Sequence, residues 1–301
     1  MSRTRELPPN VRSLDKRIDN QADKVGRARR RLQRVVANTV IGQMLPPGVV
    51  KGGTAMKLRV GEAASRFTPD LDVAHSGRVS LEDYLNELDT NLAAGWGGFT
   101  GRVIELDTPS PEGVPNEYVM QPFDIKLDYQ GRSWLTVRFE LGHDEIGSTA
   151  THDLRIADDI VELFDILGLK APAPIPVLAI EHQVAQKLHA CTAVDKTGRN
   201  ERAHDLVDLQ LLDSEETIDV AAVGAMARRL FAARRSHAWP PEVIAHEGWD
   251  TLYAAAADGL DVLPAIDAAV ALGERVHRTL HSMRLGRGAR SYAAAGHPAA
   301  G

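Results

Sequence analysis

The chain has 301 residues, 44% of them hydrophobic and 25% charged, enough for one large or two modest globular domains and unlike a fibrous or disordered polymer. A formal net charge of −6 provides no global basic field, so any nucleic-acid contact must come from local patches. Cys191 is the single cysteine, which excludes an intramolecular disulfide framework and a cysteine-built zinc centre; within an apolar helical pattern it reads as a small buried hydrophobe.

The opening MSRTRELPPNVRSLDKR contains no apolar stretch of the secretory kind, and no apolar run approaches the ~18 residues of a membrane span. A cytoplasmic chain without membrane contact is expected. Leu14 to Met44 reads as one helix, with Leu32, Val35, Val36 and Val40 at helical spacing and LPPG at 45–48 as its stop. Val49-Val50 is a short strand running into a Gly52-Gly53-Thr54 turn, and Thr54 to Val60 returns to helical spacing. Leu71 to Ala74 is a second strand, and Ser80 opens a helix to Ala94 through a capping pattern with Asp83.

Strand signals follow at Arg102 to Leu106, Tyr118 to Tyr129 and Ser133 to Leu141, the last two joined by DYQGRSW, where Gly131 supplies a hairpin turn. Pro172, Pro174 and Pro176 read as a stiff connector. Leu178 to Val194, Ala203 to Leu212, Val220 to Ala233 and Leu263 to Met283 are expected helices, and the Gly/Ala-rich end lacks periodicity. The expected division is an α/β domain over 1–171, a helical domain over 172–285 and a disordered tail over 286–301.

The chemistry concentrates in VVKGGTAMKLRVGEAASRFTPDLDVA, residues 49–74. A Gly-Gly-Thr turn between strand and helix points backbone N–H groups and the positive helix end at an incoming anion. Asp70 and Asp72 are two apart in a strand, so both emerge on one face, roughly 6.6 Å apart along the backbone. Like charges so placed repel unless a cation lies between them, and Mg²⁺, which prefers oxygen ligands and keeps substrate phosphates in its shell, suits them. Either feature alone is commonly a plain turn or a solvated edge. Their combination is what nucleotidyl transfer requires.

A third carboxylate on a neighbouring strand is expected. Glu140 in TVRFELG and Asp128 in FDIKLDY both qualify, and both have the ordinary reading of a polar ribbon face. Lys187 lies off the apolar stripe of Ile180, Val184, Leu188 and Cys191, which alone reads as a solvated lysine. Asp205 and Asp208 share a helix face, placed to orient Lys187 or Arg202, or to form a charged outer face. Two basic islands stand out: Lys24, Arg27, Arg29, Arg30, Arg31 and Arg34, and then Arg228, Arg229, Arg234 and Arg235 beside Trp239. Such runs are usually solvated or paired within the chain, but they could also track a phosphate backbone, with Trp239 or Trp249 stacking a base.

These motifs resemble those of the AbiEii/AbiGii toxin family, a branch of the polymerase-β-like nucleotidyltransferases. KGGTAMKL leading to RFTPDLDVA resembles its first motif, EHQVAQKLHA its later lysine helix, and ERAHDLVDLQLL its Arg-Asp-x-x-Asp-Leu motif, together over roughly residues 49–212. VRFELGHDEIG resembles the family strand carrying the third acid, which favours Glu140 over Asp128. Two positions depart: Thr68 replaces the usual serine, and His204-Asp205-Leu206-Val207-Asp208 puts histidine where arginine is usual. The basic first helix and WPPEVIAHEGWDTLY are similar to the mycobacterial MenT-type toxins of the family.

The resemblance implies an α+β fold, a polymerase-β-like core of a small mixed or antiparallel sheet with helices, then a helical C-terminal domain. It implies Mg²⁺, with Mn²⁺ as substitute, on Asp70, Asp72 and Glu140. It implies a nucleoside triphosphate, CTP or UTP, held by Gly52, Gly53, Thr54 and Lys187 and flanked by Arg66 and Thr68, with Asp205 and Asp208 in support. The implied acceptor is the 3′ end of tRNA, in a toxin–antitoxin setting with a cognate antitoxin. Transfer to a protein or small-molecule hydroxyl is the alternative chemistry, and a catalytically inactive nucleotide-binding regulator the alternative outside catalysis.

Overall fold

The structure is a computed structural model that describes residues 6–107, 119–215 and 217–271. Its N-terminal part is two helices, α1 (Val11–Val25) and α2 (Arg29–Gly42), where the hydrophobic spacing alone suggested one. The break falls at Gly26, in the left-handed region at φ 63°, with the Arg27 N–H returning to the Ala22 carbonyl at 3.0 Å. That is the closing pattern of a glycine-capped helix, and periodicity on either side cannot reveal it. Leu14 and Ile18 of α1 and Val35, Val36 and Val40 of α2 pack into the main core.

A seven-stranded mixed sheet forms the centre, from β1 (Gly48–Lys51), β2 (Leu71–His75), β3 (Phe99–Glu105), β4 (Gln121–Tyr129), β5 (Arg132–Gly142), β6 (His152–Arg155) and β7 (Ile175–Leu178). Its spatial order is β3-β4-β5-β2-β1-β7-β6. The β1–β2 pair is antiparallel and β2–β5 is parallel. Gln130 and Gly131, both at positive φ (50° and 71°), turn the β4–β5 hairpin in the primed sense that matches strand twist. Between the strands lie α3 (Gly52–Val60), α4 (Leu81–Ala94) and α5 (Asp158–Leu167). Ser80 caps α4 by accepting from the Asp83 N–H at 3.1 Å.

Residues 172–178 are not simply a connector. Ile175–Leu178 is an inner strand, parallel to β1 and antiparallel to β6, with Pro176 opposite Leu154. A proline is tolerated in a strand where its missing N–H is not needed by a neighbour, and β7 meets β1 at the single register pair Val50↔Val177. The boundary expected at residue 171 falls between α5 and this strand.

Helices α6 (Ile180–Thr192), α7 (His204–Glu215), α8 (Val220–Arg234) and α9 (Trp249–Ala257) follow. They enclose a second core that includes Leu188, Cys191, Leu206, Leu211, Trp249 and Tyr253. Met56 belongs to this core and Val60 packs against it, so α3 lies between sheet and helical half. Helix α9 had no counterpart in the sequence reading. Of the helix expected from Leu263, residues 266–271 are helical; its continuation and the 286–301 tail lie outside the described residues, as does Tyr118. Among the described residues no helix is long and apolar enough to cross a membrane.

Candidate active site

The site begins where β1 ends. Lys51 occupies the N-cap position of α3 without a side-chain capping bond, so the first-turn N–H groups of that helix face outward uncapped. Gly52 sits at φ +62°, and a Cβ there would lie 1.9 Å from the Asp72 carboxylate oxygen. A Cβ on Gly53 would meet the Thr68 side chain at 2.7 Å. The two glycines therefore seat the turn directly against the acid-bearing loop. The Thr54 hydroxyl is turned inward, donating to the Asp70 carbonyl at 2.9 Å and accepting from Asn38 at 3.0 Å. It ties the turn to β2 instead of facing an anion.

Strand alternation separates core from cleft. Leu71 and Val73 of β2 and Phe139 and Leu141 of β5 face the core, while Asp72 and Glu140 face the other way. Register sets Asp72 opposite Glu140 on one side and opposite Lys51 on the other, one row across three strands. Burial pushes Asp72 up to about 6; Lys51 opposes this, while Glu140 and Asp70 add to it. Burial also lowers Lys51, against the pull of Asp72. Asp128 stands at the hairpin end of β4, opposite Ser133 and 3.9 Å from Arg102, so Glu140 is the acid beside Asp72.

Asp70 is raised by burial and drawn down by Arg34 and Arg138, the two cations beside it. The expected three-carboxylate cage is not assembled: among the described residues no group of three or more His, Cys, Asp or Glu is arranged to hold a metal ion. The donors nevertheless fit a hard divalent cation. Mg²⁺ needs only one or two carboxylates when phosphates and water complete its shell, and the Asp72–Glu140 pair supplies two repelling ones.

These residues line a cleft of about 680 Å³, with Lys51, Gly52, Asp72 and Glu140 on one wall and Gln186, Lys187, Arg199 and Arg202 on the other. Lys187 is buried, not solvated. Its ammonium donates to Asp205 at 3.1 Å and Asp208 at 2.5 Å. Asp208 also accepts Arg66 through both carboxylate oxygens, at 3.0 and 3.2 Å from Nε, and Asp205 accepts Arg202 at 2.6 Å. Against the opposing effect of burial, these cations hold both carboxyls below the ordinary range. Burial pushes His204 down to about 4, leaving it neutral near pH 7; the guanidinium that meets Asp205 comes from Arg202. Lys57 and Arg31 both bind Glu62 and fix the loop that presents Arg66 and Thr68.

The basic islands are largely engaged within the chain. Arg29 pairs with Asp15 and Asp19, Arg34 donates to the Thr136 carbonyl, and Arg234 forms a two-point pair with Glu145 at 2.6 and 2.8 Å. Trp249 is fully buried, its indole N–H on the Asn200 carbonyl at 2.6 Å, which removes it as a base-stacking surface. Trp239 packs edge-on to Phe231. Lys51 was missed as a site residue. The available signal was a lysine closing an apolar strand immediately before the glycines.

A family description, the nucleotidyl transferase AbiEii toxin of type IV toxin–antitoxin systems, matches residues 36–272. The chain belongs to the AbiEii family. It is accordingly a nucleotidyltransferase and the toxin of a toxin–antitoxin system. Among solved structures, this AbiEii-family chain is similar to MenT4, a nucleotidyltransferase toxin from Mycobacterium tuberculosis, at 18% identity and a TM-score of 0.48, over 86% of this chain and 94% of that one. A search of the curated proteins found no match.

Proposed function

We propose that this toxin transfers a nucleoside monophosphate from a nucleoside triphosphate, with a pyrimidine as the expected base, to the 3′ end of RNA, tRNA being the expected acceptor. The observation that carries the reading is the Lys51–Asp72–Glu140 row beside the uncapped α3 turn, facing a cleft of about 680 Å³. That volume falls within the range of pockets that take small-molecule ligands. Arg199, exposed at the cleft rim, is placed to meet a phosphodiester backbone.

In this reading Asp72 and Glu140 hold the divalent cation, with Asp70, two residues before Asp72, as the expected third ligand. Mg²⁺ supplies neutralisation of phosphate charge when bound, and Mn²⁺ can replace it. Gly52 and Gly53 let the phosphates approach the α3 amides. Thr54 and Thr68 shape that turn, while Asp205, Asp208 and Arg66 brace Lys187. The terminal ribose oxygen attacks the α-phosphorus; one P–O bond forms there as the bond to the β-bridging oxygen breaks. Pyrophosphate leaves with that electron pair, and Glu140 accepts the hydroxyl proton. A cytoplasmic setting and a cognate antitoxin complete the proposal.

The test incubates the protein with tRNA and each of the four α-labelled ribonucleoside triphosphates. Label is expected at the RNA 3′ end, lost on periodate-oxidised RNA and lost with Asp72→Asn. Label on a protein band or a small molecule, or label insensitive to Asp72→Asn, overturns the reading.

A further inference from the structure

The acid row has two ends. On the β1 side it runs into the Gly52-Gly53 turn, where the phosphates of the donor are expected. On the β5 side it ends at Glu140, and Arg138, two residues earlier, emerges on the same face while Val137, Phe139 and Leu141 turn to the core. Strand β2 pairs with β5 from Leu71↔Phe139 onward, so the hairpin half of β5 has no strand beside it on that edge. Helix α2 closes the edge instead, with Arg34 Nη1 donating to the Thr136 carbonyl at 3.1 Å.

The cations gathered there are short of anions. Arg34 is 8% exposed, and its Nε is buried without a hydrogen-bond partner. A buried donor left unpaired is costly, a charged one more so. Arg30 lies one turn earlier on the same face of α2, exposed and near enough to Arg34 to act on it electrostatically. Among the described residues the guanidinium groups of Arg30 and Arg138 have no hydrogen bond or ion pair. Their neighbours in the basic run are taken: Arg29 by Asp15 and Asp19, Arg31 by Glu62, and Arg27 by the Ala63 carbonyl. Asp70 is the acid whose charge acts between Arg34 and Arg138, yet no hydrogen bond joins it to either.

We propose that Arg30, Arg34 and Arg138 cradle a backbone phosphate of the acceptor RNA, close to its 3′ end, and bring that end to Glu140 from the β5 side. Guanidinium groups suit a phosphodiester, whose oxygens accept forked pairs of N–H bonds. The donor is held from the β1 side, so the acceptor hydroxyl reaches the acids from the other end, where Glu140 is the acid of β5. The cradle thus sets acceptor and donor on opposite sides of the acid row, as an in-line displacement requires.

The inference rests on the RNA-acceptor reading, so binding and transfer are measured separately. Fluorescence anisotropy of end-labelled tRNA is followed over a salt series for the wild type, Arg30→Ala, Arg138→Ala and Lys24→Ala, an exposed lysine of α1, each with a melting curve. Binding of CTP and UTP with Mg²⁺ is measured calorimetrically on the same proteins. Arg30→Ala and Arg138→Ala are each expected to weaken tRNA binding about tenfold, with a shallower salt dependence, and to leave triphosphate binding within about twofold. Lys24→Ala is expected to bind tRNA within about twofold of the wild type. Unchanged tRNA binding by folded Arg30→Ala and Arg138→Ala, an equal loss with Lys24→Ala, or no tRNA binding by the wild type overturns the cradle. Loss of triphosphate binding with tRNA binding intact assigns these arginines to the donor and overturns it as well. If Arg138→Ala does not fold, Arg30→Ala, exposed on α2, decides by the same criteria. Arginine-dependent tRNA binding without label transfer removes the acceptor reading and leaves the cradle as an RNA site.

Discussion

Gly52→Ala separates backbone strain from damage to the active site. The added methyl would sit 1.9 Å from the Asp72 oxygen, and restoring an ordinary contact of 3.4 Å moves that carboxylate by about 1.5 Å. A misplacement of about 1 Å at a reacting centre can cost roughly a hundredfold in rate. The left-handed φ of +62° adds about 1–2 kcal/mol of strain for alanine, a melting shift of a few degrees for a chain of this size. Gly26→Ala is the matched control: its φ is +63°, but nothing lies within 4 Å of the new methyl. Melting curves and initial rates of label transfer from a nucleoside triphosphate to tRNA are measured for both. Both variants should lose similar stability, and only Gly52→Ala should lose about a hundredfold in transfer. Equal transfer by the two variants would refute the argument that Gly52 exists to seat Asp72.

Asp72 has its folded pKa raised to about 6 from 3.8, so the native chain binds that proton more tightly than the unfolded one. In metal-free protein this group's contribution is fully present below the unfolded pKa and is lost as pH rises from about 4 to 6, by about 2–3 kcal/mol in all. Denaturation across that window should show the step, and Asp72→Asn should flatten it. Transfer should run the opposite way, falling as pH drops below about 6. Asp208→Asn leaves Lys187 and Arg66 short of a buried anion and should cost about 3–5 kcal/mol in urea unfolding. Glu140→Gln should abolish label transfer, whereas Asp128→Asn, at the hairpin end of β4, should leave it within about twofold; the opposite pattern would reassign the third acid.

The most local features were the most legible. The strand, glycine turn, helix and acid-bearing strand from Val49 to Ala74 can be read directly, because each carries its own turn or alternation signal. The same holds for the Ser80 cap and the Gly131 hairpin. What escaped depended on partners distant in sequence. β7 was hidden by Pro176, whose tolerance depends on how β1 and β6 meet it, and α5 lies in the same unread stretch. The α1–α2 break turned on the conformation of one glycine. Within the site, the placement of Glu140 beside Asp72 is a matter of strand register, and the inward hydroxyl of Thr54 depends on Asn38 of α2. Lys187 looked solvated because its carboxylate partners come from another helix.

The account depends on Asp72 and Glu140 sharing one divalent cation beside the glycine turn. A crystal soaked with Mn²⁺ and a non-hydrolysable nucleoside triphosphate, measured for anomalous scattering, tests this directly. A peak within bonding distance of both carboxylates, with the phosphate chain against Gly52 and Gly53, is the result expected. A peak elsewhere, or those carboxylates turned away from the nucleotide, would contradict it.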